Sequence, residues 1–454
     1  MFSNHQKGIF LITFFALLFG SCNIVEDVPD FNNPSLERLT DSPTRVSINT
    51  LATGLLIGSR EGIENYVYMT GIVGREMYDL DASTLSTSEL IIGPLDPGQW
   101  GGNGWVSQYQ NLRNAKILLG AIDQVEDMTE AEKEGIRGFA KTLQAYDLLL
   151  VINTRDINGA VIQIAEDPTG DPGPIVGKEQ VLSQIEDWLD EASIHLQNAG
   201  SSFSFNLSSG FQNFDTPSSF LEFNRALQAR VNIYQEDYPG ALDALEDSFL
   251  DLNSSLDLGV YHTHSSSAGD LSNFFSTKTQ GNAPDYVAQR DYETDVQNKL
   301  NGDTDERYQQ KFRKLPSFKS HLGLSSDIGF TQYSSPSSSI AIIRNEELIL
   351  LRAEANYNLE NYSEAADDIN FIRQESGGLE ERNDLDANNM LDELLYNKRY
   401  SLYMEGGHRW LDLRRYDLLD RLPLEIDNAV VHVRFPIPLD ECLSRGLSAN
   451  CSGN

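Results

Sequence analysis

Apolar positions recur every three to four residues along most of the chain, a spacing that predicts helices, many in antiparallel pairs. From Glu222 to Leu250, Phe223, Ala226, Leu227, Val231 and Tyr234 share one helical face. Gln235-Glu236-Asp237 interrupts the pattern, and Ala241, Leu242, Leu245 and Phe249 resume it. Arg344–Gln374 repeats the design: Ile349, Leu350, Ala353 and Tyr357, a break at Glu360-Asn361, then Ala365, Ala366, Ile369 and Ile372. A shift of 124 positions lays Ala229 on Ala353, Asn232 on Asn356, Tyr238 on Tyr362 and Ala241 on Ala365. Small residues twelve apart let two antiparallel helices approach closely, as in tetratricopeptide pairs. Less regular pairs are Trp105–Val125 with Thr129–Asn153, and then Lys178–Asn198 beyond a Gly/Pro-rich crossing at Asp167–Gly173. A last long helix runs through Met390–Met404 to a Gly406-Gly407 break and resumes to Leu419.

Between the helices lie stretches without periodicity. Gly93–Trp105 holds two Trp among five Gly and two Pro. Gly259–Thr279 is Ser-rich and carries His262 and His264, and Ser320–Ser339 is a second polar run. Long loops on a rigid helical scaffold are common places for binding. Of the four Trp, Trp188 and Trp410 fall within helical patterns and are expected in the core. Trp105 begins a helix and is expected half-buried. Trp100 sits between Gly98-Gln99 and Gly101-Gly102, where no period assigns it to a core. An aromatic face there suits the C–H face of a sugar ring, with Tyr78 and Tyr286 as candidates for a second wall.

The N-terminus reads as an address. Lys7 precedes an apolar run from Ile9 to Phe19, and Gly20, Ser21 and Cys22 follow. A basic start, about a dozen apolar residues and small residues before a cut site form a secretory signal, too short to span a bilayer. Residues 1–21 are therefore read as signal peptide. A Cys directly after Gly-Ser resembles a bacterial lipobox, which makes Cys22 the lipidated first residue of the mature protein; Phe19 stands where Leu is more usual. Glu26 and Asp27 resemble the acidic tag of surface-exported lipoproteins. No later segment is long and apolar enough to cross a membrane, so the chain is read as anchored rather than embedded. In an oxidising compartment the two other cysteines, Cys442 and Cys451, are placed to close a small disulfide ring, with two free thiols as the alternative.

Charge narrows the function classes. The 454 residues carry 34 Lys+Arg and 68 Asp+Glu, a formal charge of -34. Such a balance excludes a protein whose main work is gripping nucleic-acid phosphates. No H-E-x-x-H or G-x-S-x-G occurs, and Gly173–Lys178 is one residue short of a phosphate loop, with Glu179 where Ser or Thr would hold magnesium. The His262-x-His264 pair offers two metal-ligand types but not a full set. Asp303 and Asp305 suggest a structural calcium site yet lack EF-hand spacing. No cofactor is expected beyond that one alternative.

Several segments, in order, resemble the SusD/RagB family, outer-membrane nutrient-binding lipoproteins of Bacteroidetes-type bacteria. Arg344–Gln374 is similar to the family's R-x-x-E…L-x-x-A-E-A…N-x-x-R core, Glu405–Tyr416 (EGGHRWLDLRRY) to its E-G-x-R-x-x-D-L-R-R signature, and Phe435–Glu441 (FPIPLDE) to its closing P-I-P-x-x-E. Trp105–Leu119 and Arg137–Leu150 resemble its weaker upstream patterns. Asn397 and Ser401 depart from it, standing where Glu is frequent, and Gly407 looks inserted. The resemblance implies a mainly α, SusD-like helical fold with tetratricopeptide-like pairs, long irregular loops and few short strands, formed by residues 22–454 as a single domain. It further implies a non-enzymatic surface lipoprotein of the outer membrane that binds oligosaccharides and delivers them to a SusC-like TonB-dependent transporter. The alternative keeps the fold as a peptide-binding or protein-interaction scaffold. Within the signature, Glu405–Arg409 and Arg409–Asp412 are expected as helical ion pairs if the helix continues across the two Gly, and a catalytic carboxylate pair is the minor reading of Glu405 and Asp412.

Overall fold

A computed structural model of the chain describes residues 43–165, 170 and 173–447. Cys22, Glu26, Asp27 and Cys451 lie outside the described residues, as does the signal segment. Fifteen α-helices are present among the described residues. The first half holds α1 (Arg45–Arg60), α2 (Ile63–Val73), strand β1 (Met77–Asp79), α3 (Val106–Ala121), α4 (Glu130–Arg155), β2 (Ala160–Val161), β3 (Ile175–Val176) and α5 (Lys178–Asn198). Then come α6 (Pro217–Gln235), α7 (Tyr238–Glu246), β4 (Gly259–His262), α8 (Phe275–Lys278), β5 (Tyr286–Ala288), α9 (Asp291–Thr294) and α10 (Glu306–Lys311). The rest is β6 (Phe312–His321), β7 (Leu324–Phe330), β8 (Ile340–Arg344), α11 (Asn345–Asn358), α12 (Tyr362–Glu375), α13 (Met390–Ser401), α14 (His408–Arg415) and α15 (Leu439–Ser444). The expected mainly α architecture with few short strands is what the chain adopts.

The central helix is α4. At its start Thr129 and Glu132 cap one another: the Thr129 N–H donates to Glu132 Oε2 at 2.9 Å and the Glu132 N–H to Thr129 Oγ1 at 3.3 Å. This reciprocal pairing satisfies two of the donors a helix start leaves open. From Leu143 to Ile152 every apolar residue of α4 is at most 5% exposed, because α3, α5 and α6 cover it.

The internal repeat is real at the level of its turns. Glu236 and Glu360, 124 positions apart, both adopt φ 63°, the left-handed conformation that reverses the chain between paired helices. Behind each, the same bond closes the turn: Asp237 N–H to Asn232 O and Asn361 N–H to Asn356 O, both 2.9 Å. Ala229, Ala241, Ala353 and Ala365 are all fully buried, so α6 packs on α7 and α11 on α12 at close range. The pairs are distant in sequence but adjacent in space, since α11 packs against both α6 and α7. Arg230 of α6 joins them by a two-pronged ion pair to Glu347 of α11, both bonds 2.7 Å.

Among the described residues eight short strands form four antiparallel pairs: β1 with β5, β2 with β3, β4 with β8 and β6 with β7. Three expectations are corrected by them. Tyr78 and Tyr286 are not in loops but in register-adjacent positions of the β1–β5 ladder, where Tyr78 faces Val287 and Asp79 faces Tyr286. The Ser320–Ser339 run is a loop only in its second half, because Phe312–Phe330 closes as the β6–β7 hairpin. His262 belongs to β4, and the H-x-H pair is buried rather than exposed: His262 Nε2 lies 3.0 Å from the Tyr146 hydroxyl, and His264 3.4 Å from Glu64.

The C-terminal signature is corrected as well. The helix ends at Ser401 rather than Met404, and Met404, Gly406 and Gly407 take φ 57°, 124° and 79°, so no helix runs across the two Gly before α14 begins at His408. Glu405 therefore pairs with Arg344 at 2.7 Å instead of Arg409, which donates to Arg75 O at 2.7 Å. Asp412 pairs with Lys398 and Arg415. The family departures Asn397 and Ser401 both accept from Arg307, at 2.9 and 3.0 Å. Arg307 also grips Asp305, whose carboxylate accepts in addition from the Tyr396 hydroxyl. Asp305 is thus part of an ion pair, and no group of His, Cys, Asp and Glu suited to a metal ion occurs among the described residues.

One buried carboxyl has a consequence for stability. Asp147 on α4 is 2% exposed, and burial pushes its pKa up to about 7 although Asn111 Nδ2 donates to it at 2.6 Å. A folded-state pKa above the unfolded one means that the native state holds the extra proton, so this group's contribution falls as pH rises from about 4 towards 7. Buried His262, His408 and His432, all shifted down by burial, act in the opposite sense near pH 6. The difference between two proteins isolates the carboxyl: Asp147→Asn should become the more stable by about 2–3 kcal/mol on going from pH 5 to pH 8, read from urea melts at both values.

Candidate functional site

Trp100 sits on the loop that joins β1 to α3. Glu89 ties this loop down, accepting from the Asp96 N–H at 2.9 Å and the Gly101 N–H at 2.7 Å. The glycines beside the tryptophan are required by crowding: a Cβ at Gly101 would lie 2.7 Å from Asp96 O, and one at Gly102 2.2 Å from Pro97 O. The result is a single tight turn over Trp100–Gly102 that presents the indole half-buried.

The indole packs, partly buried, against the hydrophobic core. It lies on the ring of Tyr68 from α2, with centroids 5.1 Å apart and planes 35° apart. Tyr68 in turn touches Tyr286 at 5.4 Å and Phe274 at 6.2 Å, and Phe274 meets Tyr286 edge-on at 6.2 Å. Trp100 and Phe274 are the half-exposed faces; Tyr68 and Tyr286 are buried behind them. Tyr78, expected on the same wall, is 1% exposed. All three residues of β1 are buried, so neither face of the strand offers Tyr78 a way to solvent.

A polar rim borders the aromatic group. The Tyr68 hydroxyl donates to the Asp79 carboxylate, which also accepts from Ser86 Oγ at 3.0 Å, Thr84 Oγ1 at 3.2 Å and the Asp81 N–H at 3.0 Å. Burial, and the Asp79 charge after it, push the Tyr68 hydroxyl far above its ordinary range, so it stays a donor at every working pH. Next along the chain, Lys278 bridges Asp81 at 2.8 Å and Asp285 at 3.1 Å, and Lys319 reaches Asp285 at 2.9 Å. The Lys278 hydrogen bond holds Asp81 well below the usual carboxylate range. Burial would raise Asp285, but Lys319 and Lys278 outweigh it and bring it down. Two lysines and two carboxylates thus compensate each other beside the rings. Sequence reasoning reached Trp100 and Tyr286 but missed Tyr68, whose position in a helical pattern reads as core, and Phe274, in a Ser-rich loop.

The other tryptophans divide differently from expectation. Trp410 is fully buried, as its period predicts, while Trp105 is 4% exposed rather than half-buried. Trp188, expected in the core, is only partly covered. Cys442 is fully buried on α15.

Comparison with known proteins follows the fold. The sequence profile of the SusD family matches residues 258–435, which contain the Arg344–Gln374 and Glu405–Tyr416 segments. No curated protein matches the chain. Among solved structures, a SusD-like protein from Bacteroides fragilis superposes with a TM-score of 0.70 at 13% identity, covering 90% of this chain and 98% of the other. A SusD superfamily protein from Bacteroides vulgatus gives 0.69 at 17% identity, covering 89% and 98%. A SusD-like carbohydrate binding protein from Bacteroides vulgatus gives 0.61 at 15% identity, covering 82% and 83%. The resemblance carried by the C-terminal motifs is borne out, and the fold is SusD-like over nearly the whole described chain.

Proposed function

We propose that this chain, SusD-like in fold and in its C-terminal motifs, is a glycan-capturing lipoprotein that hands oligosaccharides to a TonB-dependent, SusC-like transporter of the outer membrane. The observation that carries the reading is the aromatic group around Tyr68 and Tyr286, in which Trp100 and Phe274 are partly exposed. Sugar rings offer flat C–H faces to such aromatics and hydroxyls to the polar rim beside them. A binding role also accords with how the signature carboxylates are used: Glu405 and Asp412 are each held in buried ion pairs, a structural employment. The carbohydrate-binding relative from Bacteroides vulgatus supports the ligand class. Affinity electrophoresis against a polysaccharide panel, with a peptide pool as control, tests it. Retardation by at least one glycan and not by peptides is the expected result; retention by the peptide pool alone would make the chain a peptide binder.

Anchoring by Cys22 belongs to the same reading. No helix of the described residues is long and apolar enough to cross a membrane. Cys22→Ser should leave the protein in the soluble periplasmic fraction, because one lipidation site then accounts for all membrane attachment. A mutant that still pellets with membranes after a high-salt wash would overturn the anchor.

A further inference from the structure

A groove of about 590 Å³ is lined by α3, α4, α5 and residues 162–164. It lies on elements other than those that carry the Trp100 face. Three amide side chains from three different elements line it: Gln144 from α4, Gln163 from the segment after β2 and Gln184 from α5. Trp188 of α5, the tryptophan whose period placed it in the core, is instead a partly open wall.

The charge of this lining runs against the rest of the protein. The chain has twice as many acidic as basic residues, 68 against 34, yet the groove is lined by Lys116, Arg137 and Lys141 and by no carboxylate. Two of the three cations are already compensated. Arg137 pairs with Asp123, Glu130 and Glu134, and Lys141 with Glu191. Lys116 is exposed and takes no part in the ion pairs found among the described residues. Among the described residues, Lys116 is thus the one lining cation without an ion-pair partner.

We propose that this groove is a second ligand site, for an acidic oligosaccharide that places one uronate carboxylate against Lys116. An indole face suits the C–H side of a sugar ring. Each primary amide both donates and accepts, which matches neighbouring hydroxyls. The carboxylates nearest the groove, Asp123, Glu130, Glu134 and Glu191, are each paired with Arg137 or Lys141, and one ammonium without an ion-pair partner among the described residues selects one negative charge. A peptide is the less suited occupant, since Leu119, Ile162 and Ile164 are the only aliphatic side chains in the lining.

The test is calorimetric titration of the purified protein with trigalacturonate and with its neutral counterpart galactotriose. Trigalacturonate should bind at least about tenfold more tightly, and the preference should shrink with added salt. Lys116→Gln should abolish the preference, Gln184→Ala should weaken both ligands, and Trp188→Ala should weaken both by about tenfold or more. Lys116 is exposed and Gln184 only partly buried, so these two variants keep the test independent of any folding defect in Trp188→Ala; circular-dichroism melts check all three. Trp100→Ala should leave trigalacturonate binding unchanged, which separates this site from the aromatic face. Lack of trigalacturonate binding in the millimolar range, equal affinity for the two sugars, or loss through Trp100→Ala but not Lys116→Gln would each overturn the proposal.

Discussion

Lys398→Met should cost about 3–5 kcal/mol of stability, the range for removing one partner of a buried ion pair. Lys398 Nζ lies 2.6 Å from Glu354 and 2.9 Å from Asp412, and all three side chains are at most 2% exposed. Burial alone would drive the ammonium neutral; Asp412 and Glu354 together hold its pKa above the ordinary lysine value. Without it, two carboxylates remain buried with Arg415 as their shared cation, at 2.5 Å from Glu354 and 2.8 Å from Asp412. The cluster joins α11, α13 and α14, so its loss loosens the C-terminal packing as a unit. For a chain of this size the cost corresponds to roughly 5 °C in melting temperature, measured by scanning calorimetry. A melting temperature within 1 °C of the wild type would show that the cluster is not structural.

Trp410→Ala should be comparably severe, about 3–5 kcal/mol. The side chain is fully buried, and its Nε1–H donates to His432 O at 2.8 Å. Phe435 meets the indole edge-on at 5.8 Å and the Arg414 guanidinium lies 4.7 Å over it. On the far side Gly74 approaches so closely that a Cβ there would lie 3.2 Å from Trp410 Cβ. Truncation leaves a large cavity and takes away the donor to His432 O, while Arg414 keeps its bonds to Val433 O and Asn153 O. Trp410→Phe should recover part of the loss by filling the space without the hydrogen bond. Denaturant melts of the three proteins would order them wild type, Phe, Ala; an alanine variant as stable as the wild type would contradict the packing.

The helices were legible because their signal is local. A 3.6-residue period, small residues twelve apart and a two-residue polar break are all that an antiparallel pair needs, and Glu236 and Glu360 confirm the repeat down to the φ angle. The strands were not legible, for the opposite reason. β4 finds β8 some eighty residues away, and β1 finds β5 across two hundred, so neither partner announces the other in sequence. That non-local pairing is what misassigned Tyr78: in a loop its ring could face solvent, but β1, paired with β5, is buried on both faces. Trp188 failed the same way from the other direction, since a helical period says which face is buried but not where a neighbouring helix stops covering it. Of the aromatic group, only the members set among glycines and loop residues could be suspected; Tyr68 is indistinguishable from core until the fold brings Trp100 onto it.

The central claim is that Trp100 is a binding face and not a packing element. Isothermal titration of wild type and Trp100→Ala with the oligosaccharide selected on the affinity gels tests it most directly, with melting curves run on the same samples. The account predicts a Kd at least about tenfold weaker, some 1.4 kcal/mol, with the melting temperature shifted by no more than about 2 °C. An unchanged Kd, or a large fall in melting temperature with residual binding intact, would place Trp100 in the core and contradict it.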